Sequence, residues 1–104
     1  QIPLDADGNY TIVYSRAEDR PANATAENGV AWLEWSPRGE GLNTAQNRED
    51  FGMMIMRIMA PAADWAEGPQ NITKPGEEEA VMGAYYPKVA YTTQEAFEAL
   101  GTKP

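Results

Sequence analysis

A run of apolar residues in the middle of the chain constrains the fold more than any other feature. Residues 51–59 read Phe-Gly-Met-Met-Ile-Met-Arg-Ile-Met, and Ala60-Pro61 follows them. Apolar side chains occupy both the odd and the even positions, so a strand built from this run needs cover on both of its faces. The length of nine residues and the proline after the run favour a buried central strand over a helix.

A turn and two further strands are predicted on the N-terminal side of this run. Residues 5–9, Asp-Ala-Asp-Gly-Asn, favour a tight turn, and the pair Asp7-Gly8 is typical of a type I′ hairpin turn. Residues 10–15 alternate Tyr, Ile and Tyr with Thr, Val and Ser, which predicts a strand. A second strand is predicted over residues 30–35, Val-Ala-Trp-Leu-Glu-Trp, after an ordered polar loop.

Two short helices are predicted in the C-terminal third. The acidic residues 77–79 precede a stretch that ends at Gly83, and acids in the first turn of a helix suit its dipole. Thr92 and Glu95 have the spacing of a capping box, and Gly101 ends the apolar stretch that follows them. The sequence therefore predicts a helix before Gly83 and a last helix between Thr92 and Gly101.

These patterns together predict a mainly β fold with antiparallel strands. We expect β-sandwich strands and loops over residues 1–61, and a tail of short helices and loops over residues 62–104 that packs on the same domain. Within the tail, residues 62–67 favour one helical turn and residues 89–91 a short strand. The hairpin partner of the first strand would have to precede Gln1, so we expect the chain to be a fragment of a larger polypeptide.

The composition excludes several classes of site. The chain has 8 Lys plus Arg, 16 Asp plus Glu, a net charge of −8, and neither Cys nor His. Disulfides, zinc fingers and iron–sulfur sites require Cys, and a Ser-His-Asp triad requires His. A strongly acidic chain repels phosphate backbones, so nucleic acid is not an expected partner. No apolar run is long enough to span a membrane, and no cofactor is expected.

Two acidic motifs are weak candidates for metal binding. A calcium loop that starts at Asp5 would need Gly at its sixth position and Glu at its twelfth, where the chain has Tyr10 and Arg16. The adjacent acids 77–79 point about 100° apart around a helix, so they cannot converge on one ion. A turn and a solvated helix start account for these motifs better, and no metal site is predicted.

Arg57 and Glu34 are candidates for a ligand site or an ion pair. Each is a single charge inside an apolar stretch. A buried guanidinium must be paired or fully hydrogen-bonded, and Glu34 is the natural partner on a neighbouring strand. The functional interpretation is an anion-binding Arg in a cleft. We favour a structural ion pair, or a strand end that emerges into solvent, because structural pairs are commoner than sites.

Aromatic side chains give a second set of candidate contacts. The residues singled out are Trp32, Trp35, Tyr85 and Tyr86. Such side chains line the platforms on which sugar rings stack, and they also fill the cores of small β domains. The sequence leaves both interpretations open.

Three short motifs lie within residues 5–61. They are Asp-Gly-Asn at residues 7–9 before a strand, Ala-Trp-Leu at residues 31–33, and Arg-Ile-Met-Ala-Pro at residues 57–61. This part of the chain, a little over half, resembles the C-terminal domain of an uncharacterised bacterial family that pairs two domains of unknown function, DUF1254 and DUF1214. Two positions depart from the family pattern: Ala31 stands where Asn is usual, and Met59 where Tyr is usual.

The resemblance implies a jelly-roll-like β-sandwich. It also implies the C-terminal piece of a larger bacterial protein that is often exported, which favours a periplasmic or secreted location. The family has no established activity, so no catalytic residue is carried over to this chain.

The sequence favours a non-catalytic module with a binding or assembly role. Its expected partner is the remainder of the same polypeptide or a second chain that completes the sheet, and a homo-oligomer is a further possibility. One alternative is an enzyme for a small anionic or sugar-like substrate, with Glu34 as acid/base and Arg57 as clamp. Another is a structural subunit of a surface layer or filament.

Overall fold

The computed structural model describes residues 2–35 and 54–102. Contacts along the chain define two compact units. Gln1–Met54 and Tyr91–Pro104 form the first, here called the sheet unit, and Ile55–Ala90 form the second, here called the helix–turn unit. The sheet unit therefore combines residues from before and after the helix–turn unit, whereas the sequence predicted a boundary between two parts of one domain after residue 61.

The sheet unit contains two parallel strands. These are β1, Thr11–Ser15, and β2, Val30–Glu34. Their register pairs Thr11 with Val30 and continues to Ser15 with Glu34. Both strands were predicted, and both predictions are confirmed. The described residues hold one two-stranded sheet, so the prediction of a mainly β, antiparallel, jelly-roll-like sandwich is wrong.

The connection between the strands explains their parallel arrangement. Parallel neighbours require a crossover of about a dozen residues or more, and residues 16–29 supply it. The crossover ends in a 3-10 turn, Ala26–Asn28, after which Gly29 adopts the left-handed conformation with φ of 75°. Glycine reaches this conformation without the strain that a Cβ imposes. The chain thus re-enters the sheet beside the start of β1.

One face of the sheet carries the core of this unit. Ala24, Val30 and Phe97 are buried together, and Val13 and Trp32 pack against them. Because side chains alternate along a strand, residues 13, 30 and 32 lie on the same face in the observed register. The opposite face carries Ile12, Tyr14, Ala31 and Leu33, of which Tyr14 and Leu33 are exposed.

The last helix, α2, brings Phe97 to this core. It spans Gln94–Glu98, so the predicted helix is confirmed. The side-chain amide of Asn23 donates to the carbonyl oxygens of Phe97 (3.0 Å) and Gly101 (2.8 Å). Asn23 therefore joins the crossover to Phe97 in α2 and to Gly101, which follows the helix. The backbone N–H of Ala22 donates to Glu98 Oε1 (2.7 Å) and adds a second link.

The helix–turn unit is built from one short helix and several turns. Helix α1 spans Glu78–Met82 with acids in its first turn, as predicted, and its Met82 is buried. Pro69–Asn71 and Gly83–Tyr85 form 3-10 turns. Residues 62–67 form turns, and residues 89–91 form no strand, so the predicted helical turn and strand there are wrong.

The described part of the apolar run, residues 54–59, is neither buried nor a strand. Ile55 is 76% exposed and Met59 is 79% exposed. Residues 51–53, which were predicted to begin the strand, lie outside the described residues. A strand with two apolar faces needs a hydrogen-bonded neighbour and cover on both sides. Residues 54–59 are exposed and form no strand, so the prediction of a buried central strand is wrong for them.

The helices of the described residues are short. Helices α1 and α2 have five residues each, whereas a helix needs about 20 apolar residues to cross a bilayer. No helix in residues 2–35 or 54–102 is long and apolar enough to cross a membrane.

The N-cap of α2 gives a direct test of this fold. The capping-box spacing predicted Thr92 as the cap, but the hydroxyl oxygen of Thr93 accepts the backbone N–H of Ala96 (3.1 Å). We expect Thr93→Ala to lower the free energy of unfolding by about 1 kcal/mol in urea titrations. Thr92→Ala is the matched control and should change it little. A larger loss in the Thr92 variant would contradict the observed cap.

Candidate functional site

Arg57 and Glu34 both lie at the surface. Glu34 ends β2 in the sheet unit, and Arg57 lies in the helix–turn unit outside any helix or strand. Both side chains are exposed, so water solvates both charges and neither requires a partner. Arg57 is therefore not a buried charge, and, because it lies outside any strand, it is not a strand end that emerges into solvent either. The ion pair itself stays a prediction, and exposed pairs contribute only about 0–1 kcal/mol.

Trp32 makes two polar contacts within the sheet unit. Its indole N–H donates to Ser15 Oγ (2.9 Å), which joins the middle of β2 to the last residue of β1. The guanidinium carbon of Arg20 lies 4.5 Å from the centre of the ring, a cation–π distance. Arg20 Nη2 also donates to the carbonyl oxygen of Ala24 (2.9 Å). Trp32 therefore secures the crossover to the sheet.

Trp35 is half-buried and belongs to the other face of the sheet. Its ring meets the ring of Tyr14 edge to face at 6.4 Å, and its backbone N–H donates to the carbonyl oxygen of Ser15 (2.7 Å). Trp32 packs on the covered face, whereas Tyr14 lies on the opposite one. The two tryptophans therefore do not form one platform.

Tyr85 packs against Trp65 in the helix–turn unit. The two rings meet edge to face at 5.0 Å, and Tyr85 is 56% exposed. Asn71 Nδ2 donates to the carbonyl oxygens of Trp65 (3.0 Å) and Ala66 (2.9 Å), which fixes the backbone at the indole. Tyr86 is half-buried, and its backbone N–H donates to the carbonyl oxygen of Gly83 (3.2 Å). The contact between Trp65 and Tyr85 was not predicted from the sequence, because no local pattern indicates which distant aromatic side chains meet.

The turn around Asp5 is stabilised by its own carboxylate. Asp5 Oδ1 accepts the backbone N–H of Asp7 (2.9 Å) and of Asn9 (2.8 Å). The backbone N–H of Asn9, followed by that of Asp7, lowers the pKa of Asp5 below its ordinary value. The predicted turn is confirmed. Among the described residues of this turn only Gly8 has a positive φ, so the type I′ assignment, which requires two, is wrong.

A cavity of about 240 Å³ adjoins this turn in the sheet unit. Asp5, Thr11, Glu27 and Asn28 supply polar atoms to its lining. Two hydrogen bonds lower the pKa of Glu27 below its ordinary value, one from the Glu27 backbone N–H and one from the Thr25 hydroxyl. Ligand pockets commonly measure about 300–1,000 Å³. The cavity is smaller than this range and holds two ionised, exposed acids.

The acids at the start of α1 are engaged in local contacts. Glu77 accepts the Thr73 hydroxyl (2.9 Å) and lies 3.4 Å from the Lys74 ammonium group. Glu78 accepts the backbone N–H of Gly76 (2.9 Å). Within the described residues, no group of three or more His, Cys, Asp or Glu side chains is placed to hold a metal ion.

Residues 55–59, here called the apolar segment, form an exposed apolar surface, although the sequence predicted a buried strand here. Its four apolar side chains are exposed by 76% (Ile55), 44% (Met56), 38% (Ile58) and 79% (Met59). A charged Arg57 at its centre was the available signal against a buried strand. Methionine, which is not β-branched, was a second such signal.

Comparison of the chain with protein-family models, with curated proteins and with solved structures found no match. The resemblance to the DUF1254 and DUF1214 family therefore stays a prediction. The site must accordingly be interpreted from the contacts of this chain alone.

The depressed pKa of Asp5 makes the stability of the sheet unit depend on pH. A pKa below the ordinary 3.8 means that Asp5 stabilises the fold above that value, and that this contribution disappears as pH falls through the folded-state pKa. We expect Asp5→Ala to unfold more easily than the native chain at neutral pH, and the difference to vanish in acid. Urea titrations at several pH values measure it.

The matched control for this prediction is Asp7→Ala, which removes a neighbouring carboxylate and leaves the Asp5 bonds in place. If Asp5→Ala lost the same stability at every pH, or if both variants lost equal stability, the stabilising role of the ionised Asp5 carboxylate would be contradicted.

Proposed function

We propose that the chain is a non-catalytic module that binds another polypeptide through the apolar segment. The observation that carries this proposal is the exposure of four Ile and Met side chains within five consecutive residues. Single exposed apolar residues are normal on protein surfaces, whereas contiguous ones mark interaction sites.

The energy available at this segment is sufficient for association. Full burial of one Ile or Met side chain stabilises by roughly 1.5–3 kcal/mol relative to leaving it in water. The four side chains are between 38% and 79% exposed, so covering all of them yields on the order of several kcal/mol before the entropic cost of association is subtracted. A contact of this kind fits a specific but reversible interaction.

The central Arg57 does not oppose such a contact. Its long aliphatic stem can lie along an apolar partner while the guanidinium stays in water. An exposed cation of this kind need not be desolvated when its neighbours are covered, so the interface avoids the cost of a buried, unpaired charge.

The alternative of an enzyme with an Arg57 clamp and a Glu34 acid has no observation in its favour. Both groups are exposed to water, where solvent and salt screen electrostatic interactions. The alternative of a self-assembling structural subunit uses the same exposed segment, so the mass of the native assembly separates it from the proposal.

A neutral double variant, Ile55→Gln with Met59→Gln, tests the proposal. Both residues are largely exposed, so the free energy of unfolding should change by no more than about 0.5 kcal/mol. Native mass spectrometry of the protein purified from its source should show a second, different chain bound to the 11.4 kDa chain, and the double variant should lose it.

The matched control is Val89→Gln, which removes a 71% exposed apolar side chain from the same unit outside the apolar segment. It should retain the partner. A lone 11.4 kDa species, or a partner that the double variant retains, would contradict the proposal. Masses at whole multiples of 11.4 kDa would show that the chain binds copies of itself, and self-assembly would then replace the proposal.

A further inference from the structure

We infer that the partner of the apolar segment is a basic amphipathic helix. This inference rests on the proposed function, and it adds the chemistry of the partner. Three observations support it: the side-chain types in the segment, the charge of the unit that carries it, and its irregular backbone.

The side chains of the apolar segment suit an adaptable apolar contact. Met56 and Met59 have unbranched, flexible side chains with polarisable sulfur atoms. Methionine surfaces repack around different aliphatic and aromatic anchors. The matching surface on the partner is therefore an apolar stripe of similar width.

The charge around the segment selects a basic partner. The helix–turn unit, Ile55–Ala90, contains five acidic and three basic residues, so its net charge is −2, within a chain of net charge −8. Lys74 lies 3.4 Å from Glu77, and because this pair joins one base to one acid, the net charge of the unit stays at −2. A compact unit of this length has a radius of gyration of roughly 9 Å, close to the Debye length of about 8–10 Å. The net negative charge of the unit therefore favours a basic chain over an acidic one at the segment.

The backbone of the segment favours a helical partner over an added strand. Strand addition requires an exposed row of N–H and C=O groups in extended geometry. Residues 55–59 form no strand, Ala60 has a positive φ of 49°, and Pro61 offers no N–H. An amphipathic helix instead contributes side chains from one stripe and keeps its own backbone bonded, with basic residues on its other face.

A designed peptide tests this inference on the full chain. The probe is a fluorescein-labelled amphipathic helix of Leu and Lys. Its control peptide keeps the same apolar stripe of Leu and replaces every Lys with Glu. Fluorescence anisotropy at physiological salt should show binding of the Lys peptide at least tenfold tighter than the Glu peptide. Equal affinity of the two peptides would overturn the inference.

Neutral variants locate the binding surface. Ile55→Gln with Met59→Gln should weaken binding of the Lys peptide at least tenfold, and Val89→Gln should leave it unchanged. Gln is used because a new acid would itself attract the basic peptide. Unchanged binding in the double variant would overturn the inference.

Charge reversal at Arg57 separates this inference from an anion clamp. Arg57→Glu should strengthen binding of the Lys peptide, because it removes a like charge from the contact and adds an opposite one. Weaker binding would overturn the inference and would point to Arg57 as a group that contacts acids.

The outcomes also separate the inference from the proposed function. If the double variant loses its native partner but binds the Lys peptide as well as the native chain does, the segment is a binding surface and only the helix chemistry is wrong. If the double variant keeps its native partner, the proposed function itself is wrong.

Discussion

The packing of Phe97 against Ala24 and Val30 is the interaction on which the sheet unit depends. A parallel pair of strands has no hairpin to close it, so tertiary contacts must hold its crossover in place. Phe97 comes from α2, close to the end of the chain, and covers the face that Val30 presents. Asn23 fixes this arrangement, because its amide donates to the carbonyl oxygens of Phe97 in α2 and of Gly101 after it, and Asn23 precedes Ala24 in the crossover.

Local structure could be predicted from the sequence where a short pattern determines it. The alternation in β1, the acids in the first turn of α1 and the turn at Asp5 all depend on neighbours within a few residues. The direction of β1 relative to β2 could not be predicted, because the same alternation fits parallel and antiparallel neighbours. That direction depends on the Gly29 turn and on the distant Phe97.

The candidate site was predicted less well, for a related reason. An apolar pattern indicates that a segment requires cover, but it does not say whether the same chain supplies that cover. The strand prediction assumed that it does, whereas Ile55 and Met59 lie in water. Arg57 at the centre of the run was the residue that indicated exposure, but its interpretation as one half of a structural ion pair gave this signal too little weight. The aromatic contacts of Trp32 with Arg20 and Ser15 join residues far apart in the chain, which no local pattern indicates.

The central claim is that the apolar segment of the isolated chain lies in water, and methionine oxidation tests it directly. Met59 is 79% exposed, whereas Met82 in α1 is 6% exposed and serves as an internal reference. Peptide mass spectrometry after timed exposure of the folded chain to hydrogen peroxide should show Met59 oxidised at nearly the rate of an unfolded chain, with Met82 protected. Equal protection of both methionines in the folded monomer would contradict the account and return residues 55–59 to the core.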